Sequence, residues 1–103
     1  MDRLAMLEKM VAAQPGEPFV RYGLAMEYRK LGRAQEAREA FEKLLENHPE
    51  YLAGYLMAGN HLAELGEKVQ AKQVYERGIE VARAASDGHT EGELEVALTE
   101  LQA

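Results

Sequence analysis

Two stretches decide the fold: Leu24-Ala25-Met26-Glu27-Tyr28-Arg29-Lys30-Leu31-Gly32 and, 34 residues further on, Ala58-Gly59-Asn60-His61-Leu62-Ala63-Glu64-Leu65-Gly66. Each opens on small or apolar residues, places a large ring or isobutyl group three residues after the second of them, and ends in Leu-Gly. The same step of 34 relates Ala37 to Ala71, Phe41 to Tyr75 and Leu45 to Ile79. Backwards, it relates Leu7 to Phe41, Val11 to Leu45 and Pro15 to Pro49. A fixed period of this length reads as stacked helix-turn-helix units, each burying its apolar face on the next.

Composition agrees with helix. The chain has 103 residues, with 16 Glu and 16 Ala against only 9 Val, Ile and Thr together. Ala and Glu lose little side-chain freedom in a helix, whereas β-branched residues crowd the preceding turn. Six helices are expected. The first spans about Asp2–Ala13, with Asp2 as N-cap, and Pro15-Gly16-Glu17-Pro18 breaks the chain after it. The second spans about Pro18–Leu31, with proline in a first turn that needs no N–H and Gly32 as the left-handed residue past its end. The third spans about Ala34–Asn47 and stops at His48-Pro49, since a residue before proline leaves the helical region. The fourth spans about Tyr51–Leu65 and ends at Gly66.

The fifth helix starts near Lys68. Arg83 stands where the period asks for a third proline, so the helix is expected to run on to Ala85. After the turn Ser86-Asp87-Gly88, the last helix is expected to start at Thr90, with Thr90-Glu91-Gly92-Glu93 as a capping box. Leu94, Ala97, Leu98 and Leu101 give it one apolar stripe. Gly78, inside the fifth helix, either makes room for the last helix or acts as a hinge.

The net charge is −6, and basic residues alternate with acidic ones, as in Glu39-Ala40-Phe41-Glu42-Lys43. That is a solvated helix face, without the clustered cations that nucleic acid requires. There is no cysteine, which removes disulfides, thiolate chemistry and cysteine-based zinc sites. The N-terminus lacks a long apolar segment and no stretch approaches the ~18 apolar residues of a membrane span. A cytoplasmic protein is the expectation. The initial methionine and the polar last helix suggest a complete chain.

Leu24-Ala25, Tyr28, Gly32, Ala37, Phe41 and Pro49, repeated as Ala58-Gly59, Leu62, Gly66, Ala71 and Tyr75, resemble the signature of the tetratricopeptide repeat. The resemblance covers roughly residues 3–85. It implies an all-α fold of antiparallel helix-turn-helix repeats in a short right-handed superhelix, an α-solenoid. One domain over 1–103 would comprise a half repeat (1–15), two repeats (18–51 and 52–85) and a closing helix (89–103). Two signature places depart from the pattern: the aromatic early in each unit is Arg21 or Tyr55, and the late alanine is Leu44 or Gly78.

In this family the first helices of the units line a concave face that holds a protein or peptide. By that resemblance the groove positions are Phe19, Tyr22, Met26, Arg29 and Lys30 in the first copy. In the second they are Ala53, Leu56, Asn60, Ala63 and Glu64. An Asn there offers a peptide backbone both a donor and an acceptor, and Arg29 and Lys30 suit an acidic group. Phe19 has a second reading, as a staple at the helix start. The Lys and Asn clamp with which some members hold chaperone tails is matched only at Asn60.

His61 and Glu64 share a helix face three residues apart, but nothing completes a set of three or four metal ligands. No nucleophile-base set, phosphate loop or dinucleotide fingerprint occurs; the lone serine, Ser86, lies in a turn. The reading is therefore a binding module with no cofactor, no metal and no enzyme activity, whose partner is a protein or peptide and not nucleic acid or membrane. The alternative is self-association as a homodimer through the first helix, where Met6 and Met10 either fill the core or leave apolar area uncovered.

Overall fold

A computed structural model describes residues 2–103; Met1 lies outside it. Among the described residues the fold is all-α, with six helices: α1 (Arg3–Ala13), α2 (Pro18–Lys30), α3 (Ala34–Asn47), α4 (Leu52–Glu64), α5 (Lys68–Ala84) and α6 (Gly88–Gln102). They fall into two compact units, one ending at His48 and the other comprising Pro49–Ala103. The division coincides with the His48-Pro49 break that stops α3.

In the first unit, α1 packs on α2 and α2 on α3. Asp2 caps α1, its carboxylate accepting the Ala5 N–H at 2.7 Å. Pro18 opens α2, and the Glu17 carboxylate accepts the Phe19 N–H at 3.2 Å. The core is Leu7, Val20, Ala25, Tyr28, Ala37, Phe41, Leu44 and Leu45. Tyr28 also donates its hydroxyl to Glu8 on α1 at 2.8 Å. Burial first, then Glu8, pushes that phenol up to about 12, so it stays a neutral donor.

In the second unit, α4, α5 and α6 all pack on one another. Two glycines make this possible. A Cβ on Gly59 would run into the Tyr75 ring. A Cβ on Gly78 would lie 2.6 Å from Tyr55 Cβ and 3.0 Å from Leu94 Cδ1. Gly78 is therefore a packing notch shared by the neighbouring helices. Tyr55 and Leu94, which close on it, are among the largest fully buried side chains.

Helix ends follow one rule three times. After α2, Gly32 takes φ 75° while its N–H reaches Arg29 O at 3.1 Å and the Arg33 N–H reaches Tyr28 O at 2.9 Å. After α4, Gly66 takes φ 80°, with matching bonds to Ala63 O (3.0 Å) and Leu62 O (2.9 Å). After α5 the same pair of bonds runs from Ser86 to Arg83 O and from Asp87 to Ala82 O, but the left-handed residue is Ser86, φ 57°. This is the Schellman arrangement, and glycine is its ordinary occupant.

The start of α6 corrects the sequence expectation. The helix begins at Gly88, with Asp87 as its N-cap. Asp87 accepts the Thr90 N–H at 3.0 Å and the Thr90 hydroxyl at 2.9 Å. Thr90 is thus the third helical residue, and no Thr90–Glu93 capping box forms. The reason is chemical: a carboxylate accepts two bonds at once and is the stronger acceptor for exposed helix N–H groups. Those bonds to Thr90 hold the Asp87 carboxyl below its ordinary value. An ion pair from Arg83 to Glu91, at 2.8 Å, ties α5 to α6 just beyond the turn.

Candidate partner-binding faces

Five of the residues expected to meet a partner lie on α2 in the first unit and three on α4 in the second. Each set has its own surroundings.

In the first unit, Phe19, Tyr22, Met26 and Lys30 line a cavity of about 560 Å³. Their spacing of three or four residues puts them along one side of α2. Phe19 is 69% exposed, so it is not a staple sealed against its own helix start. Tyr22 is half-buried; burial pushes its phenol up, opposed by the charge of Arg29. Arg29 is half-buried in the last turn of α2 and is not among the residues lining the cavity. The opposite wall comes from α1, with Arg3, Leu7 and Met10. The Arg3 Nε donates to Glu27 Oε1 at 3.1 Å, which brings a second cation to the end of the cavity where Lys30 stands.

The wall from α1 was outside the expected site. The expectation takes only first helices of full units, and the resemblance assigns α1 to the second half of an incomplete one. The sequence signal is Met10, one helical turn from Leu7 and 37% exposed; Met6, 47% exposed and four residues before Met10, does not line the cavity. Apolar area left uncovered at a helical spacing of four is a face without a neighbour.

In the second unit, Leu56 and Asn60 are half-buried and Glu64 is exposed. Asn60 Oδ1 accepts the Tyr75 hydroxyl at 2.6 Å. One acceptor position of Asn60 is therefore committed to α5, which narrows the expectation that the amide meets a peptide with both its groups. Its N–H donors are the part Tyr75 does not engage. The period pairs Tyr75 with Phe41, which has no hydroxyl, so the repeat pattern carries no sign of this bond; a buried tyrosine nonetheless must find a partner for its O–H. His61 is buried, and among the described residues no group of three or more His, Asp or Glu could hold a metal ion. Among the described residues no helix is long and apolar enough to cross a membrane.

Helical hairpins whose first helix ends at a left-handed glycine, with small residues at their contacts, define the class: a repeat protein of paired helices. Residues 28–90 match the tetratricopeptide repeat family. The TPR repeat-containing protein PA0015 of Pseudomonas aeruginosa is 33% identical over 95 residues, 92% of this chain and 90% of that protein. The crystal structure of a tetratricopeptide repeat domain protein from Salinibacter ruber has 34% identity and a TM-score of 0.78, covering 84% of this chain and 98% of that one. Protein BPP2914 from Bordetella parapertussis, at 24% identity, shares the fold with a TM-score of 0.83 over 99% of this chain and 89% of its own. The chain belongs to the tetratricopeptide repeat family. Repeats of this family generally mediate protein–protein interaction and are typically not enzymes.

Proposed function

We propose that this chain is a cytoplasmic adaptor that binds a peptide or partner protein, without catalysis or cofactor. Its organisation is read as a half repeat (1–15), two repeats (18–51 and 52–85) and a closing helix. The contacts are Phe19, Tyr22, Met26, Arg29 and Lys30 on α2, with Leu56, Asn60 and Glu64 on α4. The observation that carries this reading is the α2 cavity, where a largely exposed Phe19 stands beside Met26 and a cationic end. An exposed ring of that size costs free energy in water unless a partner covers it.

The test is affinity capture from the source cell with wild type, Phe19→Ala and Leu56→Ala proteins. Phe19 is exposed, so its replacement should leave helicity and melting unchanged. A partner retained by wild type and lost with Phe19→Ala is the expected result. Equal capture by all three proteins, or none by wild type, overturns it.

The exposed Met6 and Met10 on α1 favour a second reading, a homodimer through that helix. Light scattering separates the two. A mass of one chain at micromolar concentration removes the dimer, and twice that mass, lost in Met6→Glu, supports it.

A further inference from the structure

The two units hold the same helix pair in different company. Two steps of the period carry Leu7 onto Tyr75, Met10 onto Gly78 and Val11 onto Ile79, so α1 corresponds to α5. Their neighbours correspond as well: α2 lies beside α1 as α6 lies beside α5. In the second unit a third helix, α4, packs on both members of the pair. It sets Gly59 against the Tyr75 ring and Tyr55 into the notch of Gly78. On α5, Ala71, Tyr75, Gly78, Ile79 and Ala82 are buried, whereas on α1 Leu7 alone is. The cavity of the first unit lies where α4 would be, with Leu7 and Met10 in its wall.

We propose that this cavity receives an amphipathic helix of a partner protein, held as the second unit holds α4. The inference rests on the protein-binding reading above and deepens it by naming the form of the ligand.

The direction follows from the contacts. On α4 and α5 the pairs are Gly59 with Tyr75 and Tyr55 with Gly78, so one number falls as the other rises and the helices are antiparallel. On α1 and α2 the pairs Arg3 with Glu27, and Leu7 with Gly23, also run antiparallel. A helix placed as α4 is placed would run against α1 and end beside Arg3 and Lys30. That is the charge the C-terminus of a helix calls for, since its last carbonyls carry the negative end of the dipole. A carboxylate in its last turn, where α4 has Glu64, would meet the same cations.

The size rule is inverted relative to α4. Met10 fills the place where Gly78 makes room, so the visiting helix needs a small residue where α4 has Tyr55. Leu7 is smaller than Tyr75, so the visitor needs a larger residue where α4 has Gly59. The ligand is thus a helix with a small residue followed, one turn later, by Leu or a residue of that size. The chain's own α4 has the reverse order, which argues against a second copy docking through that helix.

The probe is a fluorescent peptide of residues 52–65, held helical by a lactam between positions 53 and 57, in its native sequence and with Tyr55→Ala and Gly59→Leu. Anisotropy is read against the whole protein. The double-substituted peptide should bind about tenfold tighter than the native one, the scale of one overpacked contact. It cannot displace α4 in the second unit, because its leucine would strike Tyr75. Met26→Glu in the protein should abolish binding with the circular dichroism unchanged. Met10→Gly should shift the preference back toward the native peptide; if that variant loses helicity, Met10→Ala serves instead.

No binding of either peptide overturns the proposal, as does equal or tighter binding of the native peptide. A dimer that excludes both peptides and dissociates with Met26→Glu would make a second copy the occupant, which also overturns it. Cellular capture lost with Phe19→Ala, combined with no peptide binding, would leave the adaptor reading standing and remove this one.

Discussion

Helices α3 and α5 are copies of one pattern with different endings. They share Ala37 and Ala71, Phe41 and Tyr75, Leu45 and Ile79, all buried. Two of their differences decide how they end and what packs on them. Where α3 has Leu44, fully buried, α5 has Gly78. Where Pro49 follows α3, α5 continues through Arg83. The first difference hollows a notch, and the second adds a turn that carries the chain to Ser86 and the start of α6. The period sets the backbone plan, and single residues decide which neighbour each copy receives.

Restoring the proline breaks the comparison most severely. Arg83→Pro removes an intrahelical N–H near the end of α5, clashes with the preceding turn and deletes the ion pair to Glu91. About 3 kcal/mol of stability should be lost. Urea unfolding would show a lower midpoint, and far-ultraviolet circular dichroism should lose the last turn of α5. An unchanged midpoint would mean that α5 can end early at no cost.

Gly78→Ala is the next largest test. Alanine is the better helix former by up to about 1 kcal/mol, yet its methyl would meet Tyr55 Cβ at 2.6 Å. Both neighbours are fully buried and cannot yield, so a net loss of about 1–2 kcal/mol is expected. A gain in stability would show that the notch is loose.

Ser86→Gly sharpens the comparison in the opposite direction. The Schellman turn after α5 would gain the residue that the turns after α2 and α4 already have. Relief of the left-handed strain should stabilise the chain by about 1 kcal/mol, raising the thermal midpoint by roughly 4–8 °C.

The smallest effect is a pH dependence at Asp87. Bonds from Thr90 hold its carboxyl below the ordinary 3.8, so the folded state favours the ionised form. Its contribution should be complete above the unfolded value of about 4 and vanish as pH falls through the folded value. Stability curves of wild type and Asp87→Asn should therefore converge below about pH 4. Parallel curves would remove the cap from the account.

Most helix ends were readable because their residues act locally. Gly32, Gly66 and Pro49 impose backbone geometry wherever they occur, and Asp2 needs only an exposed N–H nearby. The start of α6 was misread because two capping residues, Asp87 and Thr90, lie three apart and the carboxylate outcompetes the hydroxyl. Ser86 in a left-handed turn could not be read, since serine has no need of that conformation and takes it only when α5 and α6 must be joined. The α2 side of the cavity was legible as a line of residues at helical spacing. Its α1 side, and the bond from Tyr75 to Asn60, depend on how neighbouring helices align, which the period alone does not specify.

The chain has five tyrosines and no tryptophan, and this gives the hydroxyl bonds an optical meaning. Tyr28 donates to a carboxylate in the first unit, whereas Tyr55 donates to the Pro49 carbonyl at 2.6 Å and Tyr75 to Asn60 in the second. Near-ultraviolet absorption and emission therefore arise from rings held in separate units by different acceptors. Replacing Tyr28 with phenylalanine, or Tyr55 and Tyr75 together, leaves a signal weighted toward one unit at a time. Two such proteins would reveal whether the units melt as one body or in succession, with no label attached.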